Sequence, residues 1–263
     1  MSGKTAGLDS VGVTVIIPTP AAGRGLTRAV ASVLAQDGVD ARLMIIIDGT
    51  PTDLAEQELL AGLGDPHRVV HVSKIGRPSP LRNLGLALTT TPVVAFLDDD
   101  DWWAAGKLRS QLAALSDPGT VMVGSNAVCV RAGAVQEPYH DVVPARPRLE
   151  DLLRTNWLIT SSVVCDTRTL TSVGGFPASD RLRVADDYAA WLRVATVGGV
   201  SILDEPLVYY SADSPDSLSR NTISGYEMRR RVLDDYAGWS AARRALNRPE
   251  TRTLRRFSRP EAG

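Results

Sequence analysis

The chain has 263 residues, of which 44% are hydrophobic and 22% charged, and its formal net charge is −1. These values are ordinary for a globular protein with a large core, and they give no overall argument for binding nucleic acid or a membrane surface. Nowhere does the sequence approach the run of about 20 apolar residues that a membrane-spanning helix needs.

In chain order, residues 1–10 are polar and lack the apolar core of a signal peptide. The chain has only two cysteines, for which a cytoplasmic setting is expected. Strand and helix patterns then alternate through four units. The predicted strands are Val13–Ile17, Leu43–Ile47, Arg68–Val72 and Val93–Leu97, the first of them stopped by Pro18 and Pro20. The predicted helices are Leu26–Gln36, Asp53–Leu63, Ser79–Leu88 and Lys107–Leu115. This alternation predicts an α/β fold with a mostly parallel central sheet flanked by helices.

After residue 120 the alternation ends. Further strands are predicted at Val121–Val130, Val163–Cys165, Ile202–Leu203 and Leu207–Tyr210, and further helices at Leu149–Arg154, Ala185–Val197 and Ile223–Leu246. Glu137–Arg148 contains three prolines and is predicted to be a loop. Cys129 and Cys165 lie in apolar runs without metal-ligand spacing, which predicts two buried core residues. From residue 248 the chain is rich in arginine, which predicts a loosely docked or disordered tail.

Four adjacent carboxylates, Asp98 to Asp101, directly follow the apolar run Val93–Leu97. The acids therefore leave the sheet at the carboxyl end of a strand, the edge at which open α/β sheets bind ligands. Asp48 ends another strand and is expected at the same edge. A divalent cation would relieve the repulsion among the acids, and oxygen ligands suit Mg²⁺ or Mn²⁺. The alternative is an acidic surface turn that caps the next helix; the flanking strand and the following Trp102 and Trp103 favour the ion site.

The usual glycine-rich phosphate loops are missing. Gly23-Arg24-Gly25 is the best candidate, but Arg28 occupies the position of the third glycine, so the dinucleotide fingerprint fails, and no Walker loop occurs. A nucleotide would have to be held by a metal and side chains.

Several motifs occur in the order that one family shows. They are Val15–Thr19, Ala29–Gln36, Ile45–Asp53, Leu81–Gly85, Phe96–Asp101, Gly174–Phe176, Asp186–Arg193 and Leu207–Tyr210. On these residues the chain resembles the family 2 glycosyltransferases, which have the GT-A fold, over roughly residues 11–220. The resemblance implies a Rossmann-like nucleotide-sugar-binding half at 11–118 and an acceptor-binding half with the catalytic base at 119–220. Residues 221–263 would form a C-terminal helix and basic tail.

The resemblance also assigns the donor site. The family's Asp-x-Asp corresponds to Asp98 and Asp100, with Asp100 on the metal and Asp98 on the ribose or a metal-bound water. The run of four acids permits Asp99 and Asp101 instead, so Asp99 is included among the donor-binding candidates.

Four further residues are expected around the donor. Pro18 and Thr19 correspond to the turn whose backbone lines the base. Asp48 corresponds to an acid that contacts the base or ribose, and an ordinary turn acid is an equal alternative. Arg82 corresponds to an arginine near the diphosphate.

The family's catalytic base is an acid from a pair that opens a helix, which here is Asp186-Asp187. Asp187 is the predicted base, and Asp186 is expected to shape the acceptor pocket. Helix capping is the alternative role for such acids.

The predicted activity is therefore metal-assisted, inverting transfer of a sugar from a nucleotide donor, a UDP-sugar or dTDP-sugar, to a hydroxyl or amine. The cofactor would be Mn²⁺ or Mg²⁺, and the acceptor a small molecule, a glycan or a lipid-linked glycan. No nucleic acid or membrane-spanning segment is expected, and the long C-terminal helix allows a homodimer.

Two alternatives remain. One is a haloacid-dehalogenase-like, Mg²⁺-dependent phosphatase, which also places Asp-x-Asp after an apolar strand. The other is a catalytically degenerate nucleotide-sugar-binding protein. It is motivated by the single acid at Asp48 and by the lack of a histidine in Ser211–Leu218, where Asp213 is a weak substitute.

Overall fold

A computed structural model describes residues 11–20, 25–50, 54–212 and 224–246. The strands are β1 (Val13–Pro20), β2 (Ala41–Asp48), β3 (Arg68–Val72), β4 (Val93–Phe96), β5 (Trp102–Trp103), β6 (Thr120–Arg131), β7 (Ala134–Pro138), β8 (Val164–Asp166) and β9 (Gly199–Ser211). The helices are α1 (Leu26–Leu34), α2 (Leu54–Ala61), α3 (Pro78–Leu88), α4 (Lys107–Leu115), α5 (Leu149–Leu152), α6 (Thr167–Ser172), α7 (Asp186–Ala195) and α8 (Gly225–Leu246). Short 3-10 turns lie at Thr160–Ser162 and Asp180–Leu182.

The strands of the described residues form one sheet in the order β3-β2-β1-β4-β8-β6-β9-β5, with β7 paired to β6. The first four strands of this order, β3, β2, β1 and β4, are parallel. Strand β8 runs antiparallel to β4 and β6, whereas β6 and β9 are parallel to each other. The mostly parallel α/β sheet predicted from the sequence is confirmed.

Both faces of the sheet are covered by helices. Val13, Val15 and Ile17 of β1 pack into one core with the apolar faces of α1 and α4. Ile16, which points the other way, packs into a second core with α3, α7 and Val232 of α8. Because both faces are covered, the central strands are mostly apolar and do not alternate between apolar and polar residues.

Strand β1 continues through Pro18 and Pro20, so the prediction that these prolines stop it was wrong. The carbonyl of Ile16 faces β4 and accepts a bond from the N–H of Leu97. Because alternate residues of a strand face alternate neighbours, both prolines face the β4 side, where β4 has already ended at Phe96. Their missing N–H groups therefore cost no hydrogen bond in the sheet.

Strand β9 joins the two short strands that were predicted separately. Its pairing with β6 shifts register between Leu203 and Pro206, and residues 204–206 of this bulge are exposed. Strand β7 was not predicted; it follows β6 through Ala132 and Gly133, both at positive φ, in a two-residue hairpin.

The C-terminal helix occurs as predicted but is described only from Gly225, and the predicted start at Ile223, Asp213 and the arginine-rich tail lie outside the described residues. Of the helices that the structure describes, none has both the length and the apolar composition that a bilayer crossing requires. Cys165 is buried as predicted, whereas Cys129 is partly exposed.

Candidate active site

The acidic run leaves the sheet directly after β4. Leu97 is fully buried, and its N–H still bonds to Ile16 at 3.1 Å. The chain then turns, because the N–H of Asp101 donates to the carbonyl of Asp98 at 3.1 Å, and it re-enters the sheet as β5. The acids therefore lie at the carboxyl end of the parallel strands, where the sequence predicts them.

Asp99 and Asp101 accept hydrogen bonds from the ends of other strands and from a distant turn of the chain. Asp101 is buried and accepts from the Ser161 hydroxyl at 2.5 Å and from the N–H of Ser211 at 2.8 Å. Asp99 accepts from the Thr19 hydroxyl at 2.6 Å. These two acids connect the run to the end of β9, to the turn at Thr160–Ser162 and to the end of β1.

Asp98, Asp99 and Asp100 are all partly exposed, and the side chain of Asp98 has 33% of its surface accessible. Burial raises the pKa of Asp99 to about 7, while the Thr19 hydrogen bond opposes the rise. Burial also raises the pKa of Asp101 well above its ordinary value, and the neighbouring charges of Asp100 and Asp98 add to the effect.

Helix α1 begins in contact with the acidic run. A Cβ atom on Gly25, just before the helix, would lie 2.2 Å from the carbonyl oxygen of Asp99 and 2.7 Å from Cα of Asp100. One turn into the helix, the Arg28 guanidinium donates to the carbonyl of Asp100 at 3.2 Å. Only glycine permits this approach, and sequence reasoning had considered Gly25 solely as part of a phosphate loop.

Asp48 and the Pro18-Thr19 pair lie at the same edge. Asp48 ends β2 and is buried; one of its carboxylate oxygens accepts from the N–H of Ile75 and the other from the N–H of Gly76, the latter at 2.6 Å. It therefore anchors the loop before α3, and this contact fits the turn-acid alternative without excluding a contact to a nucleotide. Pro18 and Thr19 are buried at the end of β1.

Arg82 connects the acidic run to the distant Asp186-Asp187 pair. It lies in α3 with its side chain 5% exposed, and its guanidinium bonds to Asp98 at 2.5 Å and lies 3.7 Å from Asp186. Burial alone would lower its pKa, but the charges of Asp98, Asp186 and Asp187 raise the pKa above its ordinary value. One cation thus faces acids that are far apart in sequence.

Asp186, the first residue of α7, lies buried behind Arg82. Its Oδ2 atom is buried without a hydrogen-bond partner among the described residues. Burial raises the pKa of Asp186 to about 6, and the charge of Arg82 opposes the rise. With a side chain only 5% exposed, Asp186 is better placed to fix Arg82 than to line an acceptor pocket.

Asp187 is partly exposed, whereas Asp186 is buried. Its Oδ2 accepts from the Thr160 hydroxyl at 2.6 Å and its Oδ1 from the N–H of Tyr188 at 2.7 Å. Burial among polar and charged neighbours raises the pKa of Asp187, whereas the Thr160 hydrogen bond and the charge of Arg82 oppose the rise. A carboxylate with a raised pKa and an accessible edge suits a general base.

Thr160 and Ser161 are site residues that sequence reasoning missed. Besides its bond to Asp101, the Ser161 hydroxyl accepts from the N–H of Asp98 at 3.0 Å. Neither residue belongs to a motif or lies near the acids in sequence, and no pattern in the sequence signals their role.

Aromatic side chains also lie around the acidic run and the residues that support it. Trp103 is buried and donates its indole N–H to the carbonyl of Ser161 at 2.8 Å. Trp102 stacks on Tyr209 with centroids 5.1 Å apart, and the Arg28 guanidinium lies 3.3 Å from its ring centroid. Tyr139 is exposed, and Asp187 and Asp101 are among the charges that raise its pKa, after burial and Cys129.

The donor set fits a hard divalent cation. Among the described residues no three His, Cys, Asp or Glu side chains are arranged to hold a metal. Asp98 and Asp100 nevertheless offer partly exposed carboxylate oxygens in one turn, and Mg²⁺ or Mn²⁺ is commonly held by one or two carboxylates together with substrate phosphates.

With this geometry established, comparison with known proteins identifies the family. The family model described as Glycosyl transferase family 2 matches residues 14–175. The chain belongs to this family. This membership replaces the phosphatase alternative. The matched residues include the acidic run Asp98–Asp101 and end at Gly175, before Phe176 and the Asp186-Asp187 pair.

Two curated relatives are similar to most of this chain at low sequence identity. The pre-mycofactocin glycosyltransferase of Mycobacterium tuberculosis is 27% identical over 208 residues, which are 76% of this chain and 42% of that protein. This chain therefore spans less than half the length of that relative. An Escherichia coli UDP-Glc:alpha-D-GlcNAc-diphosphoundecaprenol beta-1,3-glucosyltransferase is 23% identical over 230 residues, which are 87% of this chain and 88% of that protein.

Solved structures share the fold of this family 2 chain. S. aureus TarS 1–349 in complex with UDP-GlcNAc has a TM-score of 0.70 at 19% identity, covering 91% of this chain and 68% of that one. The mannosyltransferase PcManGT from Pyrobaculum calidifontis, in complex with GDP-Man and Mn²⁺, has a TM-score of 0.59 at 16% identity, covering 95% and 80%. At these identities the likeness shows the fold alone, and it confirms the GT-A fold.

Proposed function

We propose that the chain transfers a sugar from a nucleoside diphosphate donor to a hydroxyl or amine acceptor with inversion at the anomeric carbon. One observation carries the proposal: Arg82 bonds to Asp98 at 2.5 Å and lies 3.7 Å from Asp186, next to Asp187 in the chain. The acidic run and the acid pair that contains the candidate base are thereby joined through one buried arginine, which supports a site where donor and base act on the same sugar.

The donor would lie along the edge formed by the ends of β1, β2 and β4. Asp98 and Asp100 would hold Mg²⁺ or Mn²⁺, which when bound neutralises charge on the diphosphate leaving group. Asp99 and Asp101 are the less suitable pair, because Asp101 is buried and its two carboxylate oxygens already accept bonds from Ser161 and Ser211. Arg82 would add positive charge near the diphosphate, and Thr19 and Asp48 would border the base or ribose.

Asp187 would act on the acceptor. It takes the proton of the acceptor O–H or N–H while that atom bonds to the anomeric carbon, and the bond from this carbon to the diphosphate oxygen breaks with its electron pair leaving on the nucleotide. Its raised pKa makes it a stronger base than an ordinary aspartate. Asp186 would hold Arg82 in place.

UDP is the favoured nucleotide, because the E. coli relative is named for UDP-Glc and the TarS structure holds UDP-GlcNAc. The acceptor class stays open among small molecules, glycans and lipid-linked glycans; the E. coli relative is named for a lipid diphosphate-linked GlcNAc. A homodimer and a cytoplasmic location stay predictions.

The test is release of nucleoside diphosphate from UDP-glucose, UDP-GlcNAc, dTDP-glucose and GDP-mannose, with MnCl₂, MgCl₂ or EDTA. We expect turnover of a UDP-sugar that EDTA abolishes. Asp98→Asn should abolish UDP binding in calorimetry, whereas Asp187→Asn should keep UDP binding and lower turnover at least 100-fold.

Asp117→Asn is the matched control, since Asp117 pairs with Arg146 on the exposed surface and should change neither quantity. Donor binding without turnover, unaffected by Asp187→Asn, would support the degenerate binding protein instead. No binding of any donor with metal present would refute the proposal.

A further inference from the structure

The 3-10 turn Thr160–Ser162 lies between the two acidic groups of the site. Thr160 donates its hydroxyl to Asp187 at 2.6 Å. The next residue, Ser161, accepts from the N–H of Asp98 at 3.0 Å and donates to Asp101. Consecutive hydroxyls of one turn thus bond to the acidic run on one side and to the candidate base on the other.

This turn is held by buried side chains. Thr160 is 5% exposed and Ser161 fully buried. Trp103 donates to the carbonyl of Ser161 at 2.8 Å, and Gln111 donates to the carbonyl of Ser162 at 2.7 Å. The hydroxyl of Thr160 is therefore attached to a part of the backbone that has little freedom to move.

Both oxygens of the Asp187 carboxylate are oriented by donors. The N–H of Tyr188 bonds to Oδ1 and the Thr160 hydroxyl to Oδ2. Two donors on two oxygens fix the plane of the carboxylate, and each oxygen keeps a second lone pair that can take a proton. The Tyr188 donor belongs to α7 itself, so Thr160 supplies the bond that ties the carboxylate to the rest of the protein.

We propose that Thr160 is a positioning residue that holds the carboxylate of Asp187 toward the acceptor. The inference rests on the proposed role of Asp187 as the base. Thr160 sets the direction of the carboxylate, and through Ser161 the same turn keeps the distance between the base and the donor-binding acids constant. Arg82, Asp98, Asp186 and Tyr139 are the other titratable or charged groups that face Asp187.

The test compares Thr160→Val, which keeps the shape and removes the hydroxyl, with Thr160→Ser, which keeps the hydroxyl. Ser162→Ala is the matched control, since within the described part of the chain that hydroxyl donates to the carbonyl of Ile159 at 2.8 Å and contacts neither acidic group. The quantities measured are UDP release from UDP-glucose with MnCl₂ between pH 5 and pH 9, UDP affinity, and the titration of the Asp187 carboxyl carbon by ¹³C NMR in EDTA.

We expect Thr160→Val to lower kcat about 10- to 100-fold with UDP affinity within twofold of wild type. Loss of a donor to the charged carboxylate should move the acidic limb of the rate profile and the Asp187 titration to higher pH. Thr160→Ser should restore kcat within about threefold, and Ser162→Ala should leave all three quantities unchanged.

An unchanged kcat, or an unchanged Asp187 titration in Thr160→Val, overturns the inference. If Thr160→Val does not fold, Thr160→Ala carries the same comparison. If the wild type releases no nucleotide from any donor, the proposed function fails, while the NMR titration still decides whether Thr160 controls the Asp187 carboxylate.

Discussion

Arg82 is expected to contribute far more to stability than another arginine five positions away in the chain. Arg82 and Asp186 have side chains that are each only 5% exposed. Arg77 pairs with Asp180 at 2.6 Å, but its partner is 90% exposed. Removing one partner of a buried pair leaves a buried charge and costs about 3–5 kcal/mol, whereas an exposed pair contributes about 1 kcal/mol or less. We therefore expect Arg82→Met to lower the free energy of unfolding by about 3–5 kcal/mol at pH 8, and Arg77→Met by at most about 1 kcal/mol.

The cost of Arg82→Met should also depend on pH. Asp186 has a pKa of about 6 because burial raises it and Arg82 opposes the rise, so removing Arg82 raises that pKa further. A carboxyl whose folded pKa lies above its unfolded value stabilises the fold at low pH and loses that contribution as pH rises through the folded pKa. At pH 5 the carboxyl is mostly protonated in both proteins, so Arg82→Met should cost less there than at pH 8.

Urea unfolding of wild type, Arg82→Met and Arg77→Met at pH 5 and pH 8, in EDTA, measures both effects. The difference between wild type and Arg82→Met should grow by up to about 1.4 kcal/mol per pH unit above pH 6. Equal costs for the two arginine variants, or a cost of Arg82→Met that is the same at both pH values, would show that the ion pairs of Arg82 do not act as a buried unit.

Three further changes test other contacts by the same unfolding assay. Gly25→Ala would push a methyl group into the backbone of the acidic run and should cost about 1–3 kcal/mol and weaken UDP binding, whereas Gly238→Ala, on an open face of α8, should stabilise by up to about 1 kcal/mol. Asp99→Asn removes a carboxyl whose pKa is raised to about 7. Between pH 5 and pH 8 in EDTA, the free energy of unfolding of this variant relative to wild type should therefore rise by about 2–3 kcal/mol; a difference between the two proteins that is the same at both pH values would contradict the burial of Asp99. Burial lowers the pKa of Lys107 well below its ordinary value. As pH rises from 7 toward 10, the free energy of unfolding of wild type should therefore increase relative to that of Lys107→Met by up to about 1.4 kcal/mol per pH unit. An equal dependence of the unfolding free energy on pH in the two proteins would contradict this burial.

The sequence was sufficient for the parallel half of the sheet and for the position of the acids. Apolar runs such as Leu43–Ile47 are buried on both faces, so their length and composition alone mark them as central strands. The interrupted strand β9 was harder to predict, because Asp204, Glu205 and Pro206 end the apolar run. The register shift that accommodates them depends on β6, more than 70 positions earlier, and is invisible in local patterns.

In β1, the two prolines led to a predicted strand that is shorter than the observed one. Pro18 and Pro20 end a strand by the usual rule, but here the neighbouring strand β4 is shorter than β1 by several residues. Whether a proline breaks a sheet depends on which neighbour its nitrogen faces and how far that neighbour extends. Neither can be read from the sequence around the proline, because both depend on how the whole sheet is assembled.

The register of the acidic run shows most clearly what a sequence leaves open. Four identical residues offer no internal signal for which of them hold a ligand, and their surroundings differ only after the chain has folded. Thr19 from β1, and Ser161 with Ser211 from the second half of the chain, bond to Asp99 and Asp101. Acids held in this way brace the turn, and the adjacent carboxylates then need little reorganisation when charge develops beside them. The second half of the chain therefore does more than provide a base: its hydroxyls shape the acidic turn of the first half.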